Sequence, residues 1–294
     1  TTANNVLSVY ATDVDSDGDV DVLSASFDDD KIAWYENNGA GSFTAHTIST
    51  AADAAGAVFA TDVDGDGDID VLSSSQNDDK IAWYENDGSE NFTAHTITTA
   101  ADEARSVFAI DVDGDGDIDV LSASRADNKI AWYRNDGSEN FTAITISTSV
   151  VGSRSVYAVD IEGDGDVDVL SASFDDDRIV LYKNDGNENF TAQNITTTDN
   201  GARSVFVADI DGDNDLDVVS ASELDDKVAW YQNVGTGILS NDTDIDNGLL
   251  TSVLVAGPSH GTLALNTNGS FVYTPVTGFN GIDSFTYRAS DGTA

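Results

Sequence analysis

The sequence predicts an all-β protein, five repeats of a four-stranded unit followed by a smaller β domain. Three observations carry this reading. An acidic nine-residue run recurs at Asp13, Asp62, Asp111, Asp160 and Asp209, each start 49 residues after the last. Between its copies, short β-branched and aromatic segments alternate with turn residues, and no segment has helical periodicity. After Asn233 the repeat stops and the composition changes, and both prolines of the chain, Pro258 and Pro275, lie beyond that point.

The third repeat shows the elements in order. Residues 105–111 are β-branched and aromatic enough for a strand, which runs into the acidic loop. Residues 118–124 form a second strand with apolar residues on both faces, as expected of a sheet packed between two neighbours. A polar turn, 125–128, leads to a third strand at 129–134, and Asn135-Asp136-Gly137 is a strong hairpin signal before a fourth strand at 140–146. Four antiparallel strands per unit of this length, with aromatics in register, mark a propeller blade rather than a solenoid coil, so a five-bladed β-propeller is expected.

Trp34, Trp83, Trp132 and Trp230 recur in register, with Leu181 in the fourth copy. Packing between blades is their expected role, with sugar stacking as the alternative. His46 and His95 share a position with Ile144 and Gln193, which fits sheet residues better than catalysis or metal binding. The acidic turns 28–30 and 175–177 read as solvated hairpin tips, and the sequons at Asn91, Asn140 and Asn189 as turn residues.

The acidic run carries the chemistry. Five carboxylates within nine residues repel one another unless a cation sits among them, and hard oxygens at alternate positions, with glycine where the backbone turns sharply, suit calcium. Side-chain ligands are expected at positions one, three, five and nine, with a backbone carbonyl at position seven. An EF-hand needs a bidentate carboxylate at position twelve, where this chain has Ser24, Ser73, Ser122, Ser171 and Ser220. The reading without a metal is an acidic, solvated turn.

The Asp-x-Asp-x-Asp-Gly-x-x-Asp loop between strands resembles the FG-GAP/VCBS repeats of calcium-binding β-propellers, over roughly residues 6 to 233. The resemblance implies one Ca2+ per repeat, about five in all. Asp13, Asp15, Asp17 and Asp21 would hold the first, with Asp19 at the carbonyl position; Asp62, Asp64, Asp66, Asp68 and Asp70 follow in the second, and Asp111, Asp113, Asp115, Asp117 and Asp119 in the third. The fourth set, Asp160, Glu162, Asp164, Asp166 and Asp168, has a longer acid at position three. The fifth, Asp209, Asp211, Asp213, Asp215 and Asp217, has Asn214 where the others have glycine.

Beyond the repeats, Ile238–Asp246, Gly257–Leu263, Gly269–Pro275 and Asp283–Tyr287 resemble bacterial Ig-like/cadherin-like domains of surface adhesins. This divides the chain into a propeller at 1–233 and a small, incomplete Ig-like β-sandwich at 234–294. It also implies a further calcium cluster at Asp242, Asp244 and Asp246, with Asp283 or Asp291.

The 294 residues include no cysteine and no methionine, so disulfides contribute nothing, and the missing initiator points to a processed or excised chain. A formal charge of −42, from 54 acidic and 12 basic residues, opposes binding to nucleic acid and anionic membrane, and no apolar run is long enough to insert in a bilayer. Loops this acidic are expected to fill in millimolar calcium, outside the cell or at its surface. No catalytic constellation stands apart from the repeat, so a non-enzymatic role is expected. The leading expectation is an extracellular calcium-binding structural or adhesion module of a bacterial-type surface or secreted protein. The fifth repeat lacks a fourth strand and the Ig-like segment lacks edge strands, which makes strand exchange with other copies of the chain, or pairing with neighbouring surface domains, a route to a surface filament. The alternative is a lectin-like, glycan-binding propeller or the accessory module of a polysaccharide-degrading enzyme.

Overall fold

A computed structural model describes residues 3–212, 215–233, 237–239, 242, 250–267, 269 and 271–290. The chain forms two compact units, Thr1–Phe206 with Val219–Trp230 and Val207–Val218 with Tyr231–Ala294. All regular structure among the described residues is β-strand.

Each repeat folds into one antiparallel sheet whose strands lie in chain order. The first strands are Val6–Thr12, Ala55–Thr61, Ala104–Ile110, Ser153–Val159 and Ala202–Ala208. The second are Asp21–Ser26, Asp70–Ser75, Asp119–Ser124, Asp168–Ser173 and Asp217–Ser222. Third strands follow at Lys31–Asn37, Lys80–Asn86, Lys129–Asn135, Arg178–Asn184 and Lys227–Tyr231, and fourth strands at Phe43–Ser49, Phe92–Thr98, Phe141–Ser147 and Phe190–Thr196. The fifth sheet has three strands among the described residues. This is the five-bladed β-propeller expected from the sequence, with the strands of the third repeat within one residue of their expected bounds.

The core lies between blades, not within them. Leu23, Ile32 and Trp34 of blade one pack on Ala55, Val58 and Tyr84 of blade two. Its counterparts recur between blades two and three and, with Ser153 at the register of Ala55, between three and four, which explains why every residue of Asp119–Ser124 is buried. First strands of successive blades are also tied by hydrogen bonds, Val58 N to Ser8 Oγ, Val156 N to Ser106 Oγ and Val205 N to Ser155 Oγ. Along them runs an aromatic ladder, Tyr10, Phe59, Phe108 and Tyr157, with ring centroids 4.8 Å apart.

The acidic turns do more than meet solvent. Asp30 Oδ1 accepts the backbone N–H of Ala54 in the next blade, and Asp79, Asn128 and Asp177 accept those of Glu103, Gly152 and Gly201 in the same way. Asp29 and Asp176 pair with Lys31 and Arg178. The expectation of solvated hairpin tips is therefore corrected: each turn caps the chain as it enters the following blade.

The tryptophans separate into two groups. Trp34, Trp83 and Trp132 are at most 1% exposed, which removes them as sugar-stacking platforms, whereas Trp230 is 48% exposed. On blade one, Val9 is 66% exposed where its counterparts Val58, Val107 and Val156 are at most 5%. Among the described residues, Val9 and Trp230 thus lack the cover that their counterparts in the inner blades have.

In the C-terminal unit, Thr251–Ala256 pairs with Thr286–Ser290 and Gly261–Leu265 with Phe271–Pro275, both antiparallel. Val255, Val272 and Ile282 are exposed. Trp132→Ala is expected to cost about 3–5 kcal/mol of stability and Trp230→Ala less than about 1 kcal/mol. Thermal melts of the two variants beside the parent chain check the difference.

Candidate functional site

In each repeat the acidic loop joins the first strand to the second, and its backbone conformation follows from local hydrogen bonds. In the second copy, Asp62 accepts the N–H of Gly65 through Oδ1, at 2.8 Å, and that of Gly67 through Oδ2, at 3.0 Å. Asp64 Oδ1 accepts from Asp66 N, and Asp66 Oδ1 from Asp68 N. These short-range bonds turn successive carboxylates toward one point. Gly65 and Gly67 sit at φ of 77° and 99°, which an L side chain adopts with strain. Ser16 takes the first of these positions in the first copy at φ 60°.

Ligand oxygens of Asp13, Asp15 and Asp17 lie within 4.8 Å of one another, as do those of Asp62, Asp64 and Asp66, and of Asp111, Asp113 and Asp115. Asp209, Asp211 and Asp217 group in the same way in the fifth copy, while Asp213 and Asn214 lie outside the described residues. The position-three acids Asp15, Asp64 and Asp113 are held above the usual carboxylate range, by burial first and then by the neighbouring carboxylates. A divalent cation relieves that crowding, and an all-oxygen donor set fits a hard one.

Position nine is the buried base of the loop. Asp21, Asp70, Asp119, Asp168 and Asp217 are at most 1% exposed. One oxygen accepts the N–H of the position-two residue, Val14, Val63, Val112, Ile161 or Ile210, at 2.9–3.3 Å. The other accepts the N–H of Asn37, Asn86, Asn135, Asn184 or Asn233, at 2.7–2.8 Å. Burial pushes Asp70, Asp119 and Asp168 up to about 6 despite these bonds. The position is both clamp and candidate ligand, because each oxygen retains a second lone pair.

Position seven turns the other way. The carboxylates of Asp68, Asp117 and Asp166 lie where a Cβ at Gly88, Gly137 and Gly186 of the following hairpin would sit, and Asp19 stands the same way to Gly39. Position seven thus offers the loop no side-chain oxygen, which leaves its backbone carbonyl as the donor available there. Four of the position-twelve serines, which cannot chelate, reach tyrosines instead, with Ser73 Oγ 3.2 Å from Tyr84 Oη and Ser122 Oγ 3.1 Å from Tyr133 Oη, whereas Ser220 donates to Asp199.

The fourth loop keeps the backbone bonds, Gly163 N and Gly165 N to Asp160, but Glu162 pairs with Lys183. Its acids do not converge as the others do. Lys183 occupies a position that the sequence reading passed over. Its counterparts are Glu36, Glu85, Arg134 and Gln232, and the last donates to Asp211 Oδ2 at 2.6 Å. Glu85 adds negative charge beside Asp64, and Arg134 adds positive charge beside Asp113. The available signal was a charge change at one register of otherwise near-identical repeats. Glu36 and Glu85 are also bonded to His46 and His95, which stack on Trp34 and Trp83. Arg134 reaches Glu188 of the next blade at 2.8 Å across a groove of about 570 Å³ lined by Asp113, Asp115, Trp132 and Asn187.

In the C-terminal unit, Asp242 accepts from Tyr287 Oη at 2.8 Å. Asp283 accepts the N–H groups of Ser259 and His260 and the Tyr273 hydroxyl; against the push of burial, these bonds hold it well below the carboxylate range. Asp244, Asp246 and Asp291 lie outside the described residues. Asn91, Asn140 and Asn189 donate to Asp87, Asp136 and Asp185 within their hairpins, as expected of turn residues.

Blades of this kind with an acidic loop between their first two strands define a repeat propeller with candidate metal loops. The chain belongs to the FG-GAP-like repeat family, whose model matches residues 13–73, 62–122, 111–171 and 160–220, each match opening on the first aspartate of a loop. A bacterial Ig domain model matches residues 214–294. No curated protein matches. Among solved structures, the chain is similar to an Agrocybe aegerita lectin described as recognising non-reducing terminal N-acetylglucosamine, at 17% identity and a TM-score of 0.54 over 94% of this chain and 79% of that one. It is also similar to a functionally unknown protein of Desulfotomaculum acetoxidans, at 14% identity and 0.52 over 97% and 90%. A Lactobacillus plantarum protein matches at 15% and 0.52 over 93% and 85%. At these identities the likeness is one of fold.

Arg134→Gln is expected to tighten divalent-cation binding at the third loop by about fivefold, near 1 kcal/mol once the arginine's exposure is allowed for. Calorimetric calcium titration of parent and variant measures it.

Proposed function

We propose that the chain is an extracellular, calcium-binding structural or adhesion module with no catalytic role of its own. The observation that carries this is the convergence of position-one, -three and -five carboxylates in the first three loops. An ion there neutralises crowded acids at the head of each interblade layer, so calcium would stiffen the blades and fold and bind as one equilibrium. A bacterial Ig match beside FG-GAP-like repeats supports placement at a cell surface or outside the cell. The exposure of Val9 and Trp230, and a fifth sheet of three strands among the described residues, support pairing with other copies or neighbouring surface domains, including strand addition into a filament.

Chelation is expected to lower the melting temperature by about 10 °C or more, since each site at a hundred times its Kd contributes about 2.7 kcal/mol. Asp115→Ala should reproduce part of that loss. A melting curve indifferent to excess EGTA would contradict the proposal.

A second reading, glycan binding, is favoured by the groove between blades three and four beside the third loop and by the likeness to a lectin fold. The buried tryptophans take no part in it. A glycan array probed with and without calcium tests it: no saturable binding, or binding unaffected by Asn187→Ala, counts against this groove.

A further inference from the structure

Only 12 residues of this chain are basic, yet four arginines meet at the end of the blades opposite the acidic loops. Arg105, Arg154 and Arg203 are the second residues of the first strands of blades three, four and five, and Arg125 follows the second strand of blade three. They lie close enough to repel one another. Burial, then the charges of Arg154, Arg125 and Arg203, pushes Arg105 down to about 10, and Arg154 is lowered by the same kind of surroundings.

Three acids offset this cluster. Glu103 pairs with Arg105 and Arg125, Asp175 stands 3.6 Å from Arg125, and Glu223 pairs with Arg203. Arg154 makes no hydrogen bond or ion pair among the described residues, and its Nε is buried without a partner, as are those of Arg105 and Arg125. Its guanidinium lies 4.6 Å from the centroid of Phe174, the ring that Arg203 also approaches, at 5.7 Å. Among the described residues Arg154 is thus the one arginine of the four with no ion pair, with Asp175 and Glu223 acting on it only at longer range, in a chain of net charge −42.

The repeat itself marks this rim as unusual. The second residues of the five first strands are Leu7, Gly56, Arg105, Arg154 and Arg203, and the residues after the second strands are Phe27, Gln76, Arg125, Phe174 and Glu223. The strands between them read Asp-Val-Leu-Ser-Ala-Ser with little change. A scaffold that repeats while its rim does not builds one asymmetric site rather than five equivalent ones. We propose that this rim is a binding site for a small oxyanion, a carboxylate or sulfate, held by the Arg154 guanidinium with Arg105 and Arg125 beside it. Planar guanidinium forks match such oxyanions in geometry as well as charge. The site goes beyond the calcium reading and does not depend on it.

Calorimetry on the full chain with sodium glucuronate, sodium sulfate and neutral glucose tests the site, and the two anions distinguish a sugar carboxylate from inorganic sulfate. Saturable one-to-one binding of at least one anion, and none of glucose, is expected despite the chain's negative charge. Arg154→Gln should weaken that binding at least tenfold with little change in the melting temperature of the ligand-free chain, because the repulsion it relieves offsets the lost contact with Phe174 and no ion pair is broken. Arg288→Gln, in the C-terminal unit, should leave binding intact. Absence of saturable anion binding, or binding unchanged in Arg154→Gln, would overturn the proposal, as would a variant that melts lower yet binds as well as the parent.

Discussion

In every repeat one buried aspartate holds three parts of the blade together, and the rest of the architecture depends on it. Asp119 joins the start of the loop, through Val112 N, to the end of the third strand, through Asn135 N. Asn135 returns the bond to the carbonyl of Ile118, and its Oδ1 caps Gly137 in the hairpin. Loop, second strand and hairpin are thereby fixed relative to one another before any ion binds. The same carboxylate is charged, buried and next to other acids, a combination that a folded protein sustains only with compensating charge or by retaining a proton. A metal bound to the loop is the compensation that the geometry favours.

This constraint fits the constant spacing from loop to hairpin in every repeat. Moving the position-nine acid by one residue would turn it to the opposite face of the second strand, away from both N–H groups. Variation is instead confined to places that the clamp does not use. The register of Glu85, Arg134 and Lys183 changes the charge beside the loop, and the rim occupied by Arg105 and Arg154 changes the charge at the other end of the blade.

Much of this was legible in the sequence because the period of 49 residues makes each repeat a check on the others. Strand order, the acidic loop and the interblade tryptophans all follow from pattern and spacing. Residues that act across blades were harder to read. Asp30 looks like a solvated turn residue until its partner, Ala54 N of the next blade, is seen, because the bond links positions 24 apart that no local pattern connects. Trp230 shares its register with three buried tryptophans, yet its burial depends on a neighbour beyond its own sheet. The pairing of Glu162 with Lys183 was hidden for a similar reason: the acid belongs to the motif, whereas the lysine on the third strand does not.

The structural role proposed for the repeats turns on whether the loops hold calcium. Native mass spectrometry of the intact chain, with calcium raised to millimolar and magnesium as the comparison, counts the ions directly. The expected result is stepwise uptake that approaches five calcium ions per chain, the fourth loop filling last, with magnesium failing to substitute at equal concentration. A chain that carries no more calcium than it does magnesium, or that gains ions without a plateau, would contradict it.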